Sequence, residues 1–419
     1  MENKIQLSDN SVIDYQGYHL KPYNLNNDVL NFSPGPTALP KKVMEELIFD
    51  LNNNWKLGVT PLEISHRSPE FLKIKNNCEK LLREILEIPN EFSLLWTHGG
   101  GQGQFSAIPL NLMKNNTNPY YIITGTWSKK SFLESLKFLK SKSLSTSEKE
   151  TDINSINLNQ ILKEIPEDND SYIYLCSNET VNGLEFREDG ITIPSRKDTG
   201  NKLMVVDMSS DILSKKVNWE NIDVAFACAP KNLGISGSTI TIVRNNLLND
   251  SHQRKLENSI PSLLDWKLIN NSESFWNTLP VFNIYITEKI LQHYKETGGI
   301  NTIQENSRKK AELIYNIIDK SHGFYTALVE PSMQRSRMNI PFYVNNGCKK
   351  TMIFFLTEAY KNNIVGLRTK TPFNNSDKPE ALRISLYNSI TLEDTIILSN
   401  FMVSFKNRFI ALGKNYCQY

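Results

Sequence analysis

The sequence predicts an α/β protein with a mostly parallel sheet, joined to a smaller α+β domain. Three observations carry this. Short apolar runs at Ser93–Trp96, Tyr120–Thr124, Tyr172–Cys176, Leu203–Val206, Val224–Ala227 and Thr239–Val243 alternate with stretches of helical periodicity. Several of these runs are apolar on successive residues, the pattern of strands covered on both faces. Beyond about residue 280 the character shifts to a long helical stretch over about 281–320, then Asn339–Val344, a helix near 350–363, a segment around Val365–Leu386 and a closing helix near 391–411.

The elements follow in order. Residues 1–30 are polar and Asn-rich and read as a loosely ordered arm. Pro40 sits where a first helical turn tolerates proline, and Val43, Leu47 and Leu51 follow at helical spacing. Pro69 opens another helix, with Phe71, Ile74, Cys78, Leu81 and Leu82 on one side. Residues 140–170 are charged and serine-rich and read as a surface loop, then a helix near Leu158–Ile165. The expected division is an arm over 1–30, a large domain over 31–285 to whose smaller neighbour the N-terminal segment contributes, and a small domain over 286–419.

Composition narrows the function. The 419 residues are 39% hydrophobic and 22% charged, which excludes a wholly disordered chain. A net charge of +2 leaves no electrostatic footprint for nucleic acid or a membrane surface. No apolar run is long enough to span a bilayer, and Met1-Glu2-Asn3-Lys4 lacks the apolar core of a signal peptide. The five cysteines are scattered with no zinc-ligand spacing, so no metal is expected. They read as free, mostly buried thiols of a reducing, cytoplasmic compartment.

The chemistry begins with Asp207, which ends one strand, and Lys231, which follows the next strand 24 residues later. Ligands of such sheets bind beyond the carboxyl ends of the strands. A lysine there can form a Schiff base, and an acid can keep a pyridine nitrogen protonated. These are the two protein requirements of pyridoxal phosphate chemistry. The plain alternative is a surface lysine and a helix-capping aspartate. His98-Gly99-Gly100-Gly101-Gln102-Gly103 follows a strand and can cradle a phosphate on backbone amides, or be only a turn. Trp127 in Gly125-Thr126-Trp127-Ser128 can stack on a flat ring or fill a core. Thr180 in Ser177-Asn178-Glu179-Thr180 can bond a ring hydroxyl or cap a helix. Arg67 in Ser65-His66-Arg67-Ser68 can grip an anion or sit in a surface ion pair. Arg383, inside a half-buried strand, needs an anionic partner. A substrate carboxylate would serve, and so would a neighbouring Asp or Glu.

Taken together, Asn31-Phe32-Ser33-Pro34-Gly35-Pro36, Ile64-Ser65-His66-Arg67-Ser68, Thr124-Gly125-Thr126-Trp127-Ser128-Lys129-Lys130, Cys176-Ser177-Asn178-Glu179-Thr180, Asp207-Met208-Ser209-Ser210-Asp211, Pro261-Ser262-Leu263-Leu264-Asp265, Arg335-Ser336-Arg337-Met338-Asn339 and Ser385-Leu386-Tyr387-Asn388 resemble the phosphoserine aminotransferase family. These are class V aminotransferases of fold-type I that use pyridoxal 5'-phosphate. The resemblance covers nearly all but the first 30 residues. It implies a seven-stranded type of sheet between helices, a cytoplasmic homodimer with active sites at the interface, and a place in serine biosynthesis. The implied activity moves an amino group between L-glutamate and a small acidic 2-oxo acid such as 3-phosphonooxypyruvate.

The resemblance also implies roles. Lys231 would carry the cofactor's aldehyde carbon, Asp207 would pair with the ring nitrogen, Trp127 would stack on the ring and Thr180 would meet its phenolic oxygen. Gly101 and Gln102 would offer amides to its phosphate, which Asn277 and Thr278 would reach from the other subunit. Arg383 would hold the α-carboxylate, and His66 and Arg67 would face the distal anion. Three positions depart from the family pattern. Pro230 stands where a glutamine usually contacts the phosphate. Gln102 stands where some members have an arginine. Thr369-Lys370-Thr371 stands for a Gly-His-Arg stretch, with Pro372–Glu380 inserted before Arg383. Lys370 would replace the missing arginine as a point charge without its bidentate fork. A remodelled distal pocket could instead select a different acidic or phosphonate-like substrate, or support other chemistry of the same cofactor.

Overall fold

The computed structural model describes residues 4–6, 12–14, 29–53, 58–112, 118–144, 162, 165, 171–190, 192–200, 202–249, 260–331, 334–367 and 381–412. All six strands expected from apolar runs are present. They form a seven-stranded sheet in the order Phe92–Thr97, Thr239–Arg244, Val224–Cys228, Leu203–Asp207, Tyr172–Cys176, Tyr120–Ile122 and Lys142–Leu144. Thr239–Arg244 runs antiparallel to both its neighbours and the other pairings are parallel.

The edge strand Lys142–Leu144 lies where the sequence reads as surface loop. Only Leu144 of its three residues is buried, too short an alternation to signal a strand. The helix expected near Leu158–Ile165 falls mostly outside the described residues. The N-terminal arm, read as loosely ordered, carries a short antiparallel pair, Lys4–Gln6 with Val12–Asp14.

Helix Pro69–Leu86 is capped by Ser68, whose Oγ accepts the Phe71 amide at 3.2 Å, with Pro69 in the first turn. Its expected face, Phe71, Ile74, Cys78, Leu81 and Leu82, is buried against the sheet core. The long stretch near 281–320 is two helices, Val281–Glu296 and Gly299–Asp319. They part at Gly298, whose φ of 106° ends helical geometry.

One apolar core lies on one face of the large sheet and takes in Ile284, Tyr285, Ile286, Ile290 and Leu291 from helix Val281–Glu296. A second covers the other face, around Phe105, Tyr121, Tyr174, Phe226 and Trp266. A third is separate: Ile314 and Ile318 pack with Phe342, Phe355, Phe401, Met402 and Phe405. It rests on a three-stranded antiparallel sheet of Tyr325–Ala327, Asn339–Val344 and Leu382–Ser385. Phe32 enters this third core, and Leu30–Asn31 pairs in parallel with Ile364–Val365, so the segment after the arm is built into the C-terminal part.

Three cysteines, Cys78, Cys176 and Cys228, are free. Cys348 is disulfide-bonded, which corrects the expectation of free thiols at that position. No helix among the described residues is long and apolar enough to cross a membrane. No cluster of His, Cys, Asp and Glu among them could hold a metal ion.

Candidate active site

In the register of the sheet, Asp207 lies beside Cys176 and Phe226, and Thr239 lies between Thr97 and Cys228. The ends of four parallel strands therefore share one edge, and the candidate residues gather there.

Lys231 stands in the connection between Val224–Cys228 and Thr239–Arg244. That connection is pinned by Ala229 N–H donating to Ser238 O at 3.0 Å and by Thr37 N–H donating to Pro230 O at 3.2 Å. Gly35, at φ 123°, passes close by: a β-carbon there would lie 3.2 Å from Pro230 O and 3.4 Å from Lys231 Cγ, so a side chain would crowd the lysine. Lys231 Nζ donates to Thr180 Oγ1 at 3.4 Å and stands 5.8 Å from the centre of the Trp127 ring. Burial works against its charge, yet Tyr387, Cys228, Asp207 and Cys176 together hold its pKa above the ordinary lysine value.

Asp207 is buried. Its Oδ1 accepts the Ser209 amide at 2.9 Å and its Oδ2 accepts the Tyr174 hydroxyl at 3.3 Å. Burial pushes its pKa up, while the Ser209 bonds and the charge of Lys231 pull it back. The result is a carboxylate kept out of water and oriented from two sides.

Trp127 is in the first turn of helix Thr126–Ser135. Buried Glu179 fixes that turn by accepting Trp127 N–H at 2.9 Å, Ser128 N–H at 2.8 Å and Ser128 Oγ at 2.6 Å. Lys130 Nζ lies 4.5 Å from the centre of the indole ring. The indole Nε1 is buried without a hydrogen-bond partner.

The glycine turn has Gly99 at φ 85° and Gly100 at φ 63°, after which helix Gly100–Leu112 begins. A β-carbon on Gly101 would lie 3.8 Å from Ser209 Oγ and 3.7 Å from the Phe226 ring, so the turn sits against the two strands that frame Asp207. The amides of the first helical turn have no intrahelical acceptor, and Gly101 and Gln102 are among them. The Gln102 side chain is exposed.

Arg383 reaches this edge from the third core. It is 5% exposed, its Nη1 donates to Thr180 O at 2.9 Å and its Nε is buried without a partner. Among the described residues no carboxylate lies within ion-pair distance of it. Burial lowers its pKa while Tyr387 opposes. A buried guanidinium with an open donor is a site for an anion.

The structure thus brings Lys231, Thr180, Arg383 and Trp127 together by direct contact, with Asp207 and Gly101 beside them. It does not join the remaining candidates to that group. His66 is half-buried and Arg67 exposed, in the turn ahead of helix Pro69–Leu86. Asn277 and Thr278 are exposed, and Asn277 Oδ1 accepts the Thr278 amide at 2.9 Å. They follow Trp276, a large apolar side chain 51% exposed. Lys370 lies outside the described residues.

Sequence reasoning missed the supports. Glu179 lies inside a quoted motif but reads there as a polar neighbour of Thr180. Tyr387 donates to Pro34 O at 3.0 Å and accepts from Asn339 Nδ2 at 3.3 Å, tying the third core to the segment near Gly35. The motifs Arg335–Asn339 and Ser385–Asn388 were the only available signal for that link.

These residues fit a flat phosphorylated pyridine aldehyde. An indole face, a buried carboxylate, a lysine amine and a threonine hydroxyl lie near one another at one sheet edge, and free amides begin a helix beside them. The chain's relatives agree. Residues 29–398 match the model of the family described as aminotransferase class-V. A phosphoserine aminotransferase of Buchnera aphidicola subsp. Acyrthosiphon pisum (strain Tuc7) is 37% identical over 91% of this chain and 99% of its own. Phosphoserine aminotransferase 2, chloroplastic, of Arabidopsis thaliana is 35% identical over 91% of this chain and 85% of its own. A solved phosphoserine aminotransferase, studied for radiation damage of its Schiff base, superposes with a TM-score of 0.81 at 32% identity, covering 91% of this chain and 99% of that one. The pyridoxal-phosphate-bound phosphoserine aminotransferase of Trichomonas vaginalis superposes with a TM-score of 0.74 at 28% identity, covering 90% and 99%. By family model, by relatives along its length and by fold, this chain belongs to the class-V aminotransferases, within their phosphoserine aminotransferase family.

Proposed function

We propose that this chain is a homodimeric aminotransferase that moves the amino group of L-glutamate to 3-phosphonooxypyruvate, giving O-phospho-L-serine. The observation that carries the reading is Thr180, which accepts Lys231 through its hydroxyl and Arg383 through its carbonyl. One residue therefore holds both the amine-handling group and the carboxylate-handling group.

Bound pyridoxal phosphate supplies an aldehyde that captures the amine and a ring that withdraws electrons from the substrate α-carbon. The chain's residues do the rest. Arg383 clamps the α-carboxylate through its open donor. Lys231 Nζ would serve as the general base and acid that takes the substrate α-proton and gives it back. Asp207 keeps the ring nitrogen protonated from a buried position. Trp127, braced by Glu179, covers one ring face and keeps water from it. Gly101 and Gln102 present amides to the cofactor phosphate. Exposed Asn277 and Thr278 suit contact with the phosphate held in a second copy of the chain. His66, Arg67 and Lys370 are assigned to the distal anion, which is the substrate phosphate or the glutamate γ-carboxylate.

The test is an absorbance titration of the loaded protein with L-glutamate and O-phospho-L-serine in separate runs. Both are expected to convert the cofactor to its amine form. A response to glutamate alone would overturn the phosphorylated acceptor, and no response to either would overturn the transaminase. Lys231→Ala is expected to abolish turnover.

A further inference from the structure

Lys310 has no place in the chemistry above, and its surroundings are unusual. It is 2% exposed, in the middle of helix Gly299–Asp319. Its Nζ donates to three backbone carbonyls: Leu386 O at 3.0 Å, Tyr387 O at 3.0 Å and Ile390 O at 2.7 Å. Two other lysines held away from water face carboxylates: Lys75 meets Glu79 at 2.7 Å, and Lys215 meets Asp211 at 2.8 Å and Glu185 at 3.0 Å. No carboxylate among the described residues lies within ion-pair distance of Lys310. An ammonium has three donors and no acceptor, so three converging carbonyls match it completely. Without the cation, the negative ends of three peptide dipoles would crowd one buried point.

The turn so gathered spans the active site. It begins three residues beyond Arg383. Leu386 N–H donates to Met338 O at 2.7 Å, and the Tyr387 hydroxyl donates to Pro34 O at 3.0 Å. Asn388 then crosses to the lysine loop: its amide donates to Asn232 Oδ1 at 3.0 Å and its Nδ2 to Leu213 O at 2.9 Å. Asn232 is the neighbour of Lys231. A single stretch of backbone therefore leads from the carboxylate-binding arginine to the residue next to the reactive lysine, and Lys310 holds its middle.

We propose that Lys310 is a positioning residue: by drawing the carbonyls of Leu386, Tyr387 and Ile390 onto one ammonium, it fixes where Arg383 meets the substrate carboxylate relative to Lys231. This rests on the assignment of Arg383 to the α-carboxylate. Burial draws the lysine's pKa down to about 7, and Asp394 at the start of the closing helix is the charged group that opposes this.

The test uses glutarate as a dicarboxylate probe of the cofactor-loaded protein, read by calorimetry, with cofactor affinity and amide hydrogen exchange measured alongside. Lys310→Met is expected to raise the glutarate Kd about 10-fold and Lys310→Gln, with two donors, about 3-fold, by loss of charge-assisted bonds in a buried place. Cofactor affinity is expected to stay within about 2-fold, because its partners hang on the large sheet. Exchange at Tyr387–Ile390 should quicken in the same order. Equal loss of glutarate and cofactor affinity would mean a merely structural lysine and would overturn the proposal, as would unchanged glutarate binding in Lys310→Met. If neither variant folds, the wild-type chain decides. Glutarate bound to the cofactor-loaded wild-type protein should slow amide exchange at Tyr387–Ile390, because ligand held by Arg383 stabilises the turn that places it, and exchange unchanged by glutarate would overturn the proposal. Wild-type protein that binds no glutarate, or whose glutarate binding survives Arg383→Met, would instead sink the assignment of Arg383.

Discussion

The two halves of the proposed active site are built by different means. Lys231, Asp207 and Thr180 stand at or just past the ends of neighbouring strands, so the register of one sheet sets their relative places. Arg383 comes from another core and is delivered by a relay of buried polar contacts through Tyr387, Asn388, Asn339 and Lys310. The first half is a property of sheet topology, where each residue needs only a short local motif. The second is a property of packing between cores, where residues far apart in sequence must all be right at once. Chemistry placed on the sheet is hard to move by distant changes, and recognition placed on the relay is easy to move.

The largest expected effect breaks the two halves apart. Asp207→Asn should lower kcat by about 10³-fold with little change in glutamate KM, whereas Arg383→Met should raise KM by about 10- to 100-fold, the worth of charge-assisted hydrogen bonds. Steady-state kinetics reads both, and matching kcat and KM changes in the two variants would remove the distinction. Next is Phe355→Ala in the third core. This ring is fully buried against Phe401 at 5.2 Å and Phe405 at 5.0 Å between centroids, and truncation should cost about 3 kcal/mol. Urea unfolding gives the cost, and glutarate binding should loosen more than cofactor binding.

Smaller again is the seam between the halves. Buried Glu185 bonds Arg337 at 2.6 Å and Lys215 at 3.0 Å. Burial alone would raise its pKa, but Lys215 and Arg337 outweigh it and hold it down to about 2, against an ordinary 4.5. A carboxylate depressed in the folded state stabilises above its ordinary pKa and loses that contribution as pH falls towards its folded one. Glu185→Gln should therefore flatten the decline in stability between pH 4.5 and about 2, measured by thermal unfolding across that range. The smallest effect is Ser68→Ala, which removes the cap of helix Pro69–Leu86 and should cost about 1 kcal/mol, read by urea unfolding.

The same contrast explains what the sequence could show. The six strands were legible because burial on both faces writes continuous apolar runs, and Asp207, Lys231, Trp127 and Thr180 because each follows such a run. Lys142–Leu144 was not, since an edge strand with one buried residue leaves no periodic mark. Arg383 was legible as an arginine in a strand, yet that no carboxylate among the described residues pairs with it shows only in three dimensions. Glu179 and Lys310 were opaque for the same reason. Their partners are backbone groups, three carbonyls for the lysine and two amides beside the Ser128 hydroxyl for the glutamate, and backbone groups carry no letter in the sequence. The break at Gly298 did have a letter in the sequence, the Gly298-Gly299 pair, which the length of the helical stretch overshadowed.

The strand that runs against the others, Thr239–Arg244, has a consequence for how the lysine is placed. Its first residue pairs with Cys228, the last residue of the strand before it, so the segment bearing Lys231 leaves and re-enters the sheet at the same edge. Every parallel connection must travel the length of the fold and return, accumulating slack on the way. This one makes no journey. It behaves as a bridge with both abutments on one bank, so Lys231 is located from two strands at once. Length changes in the crossovers around it can alter the walls of the site while leaving the lysine where it was.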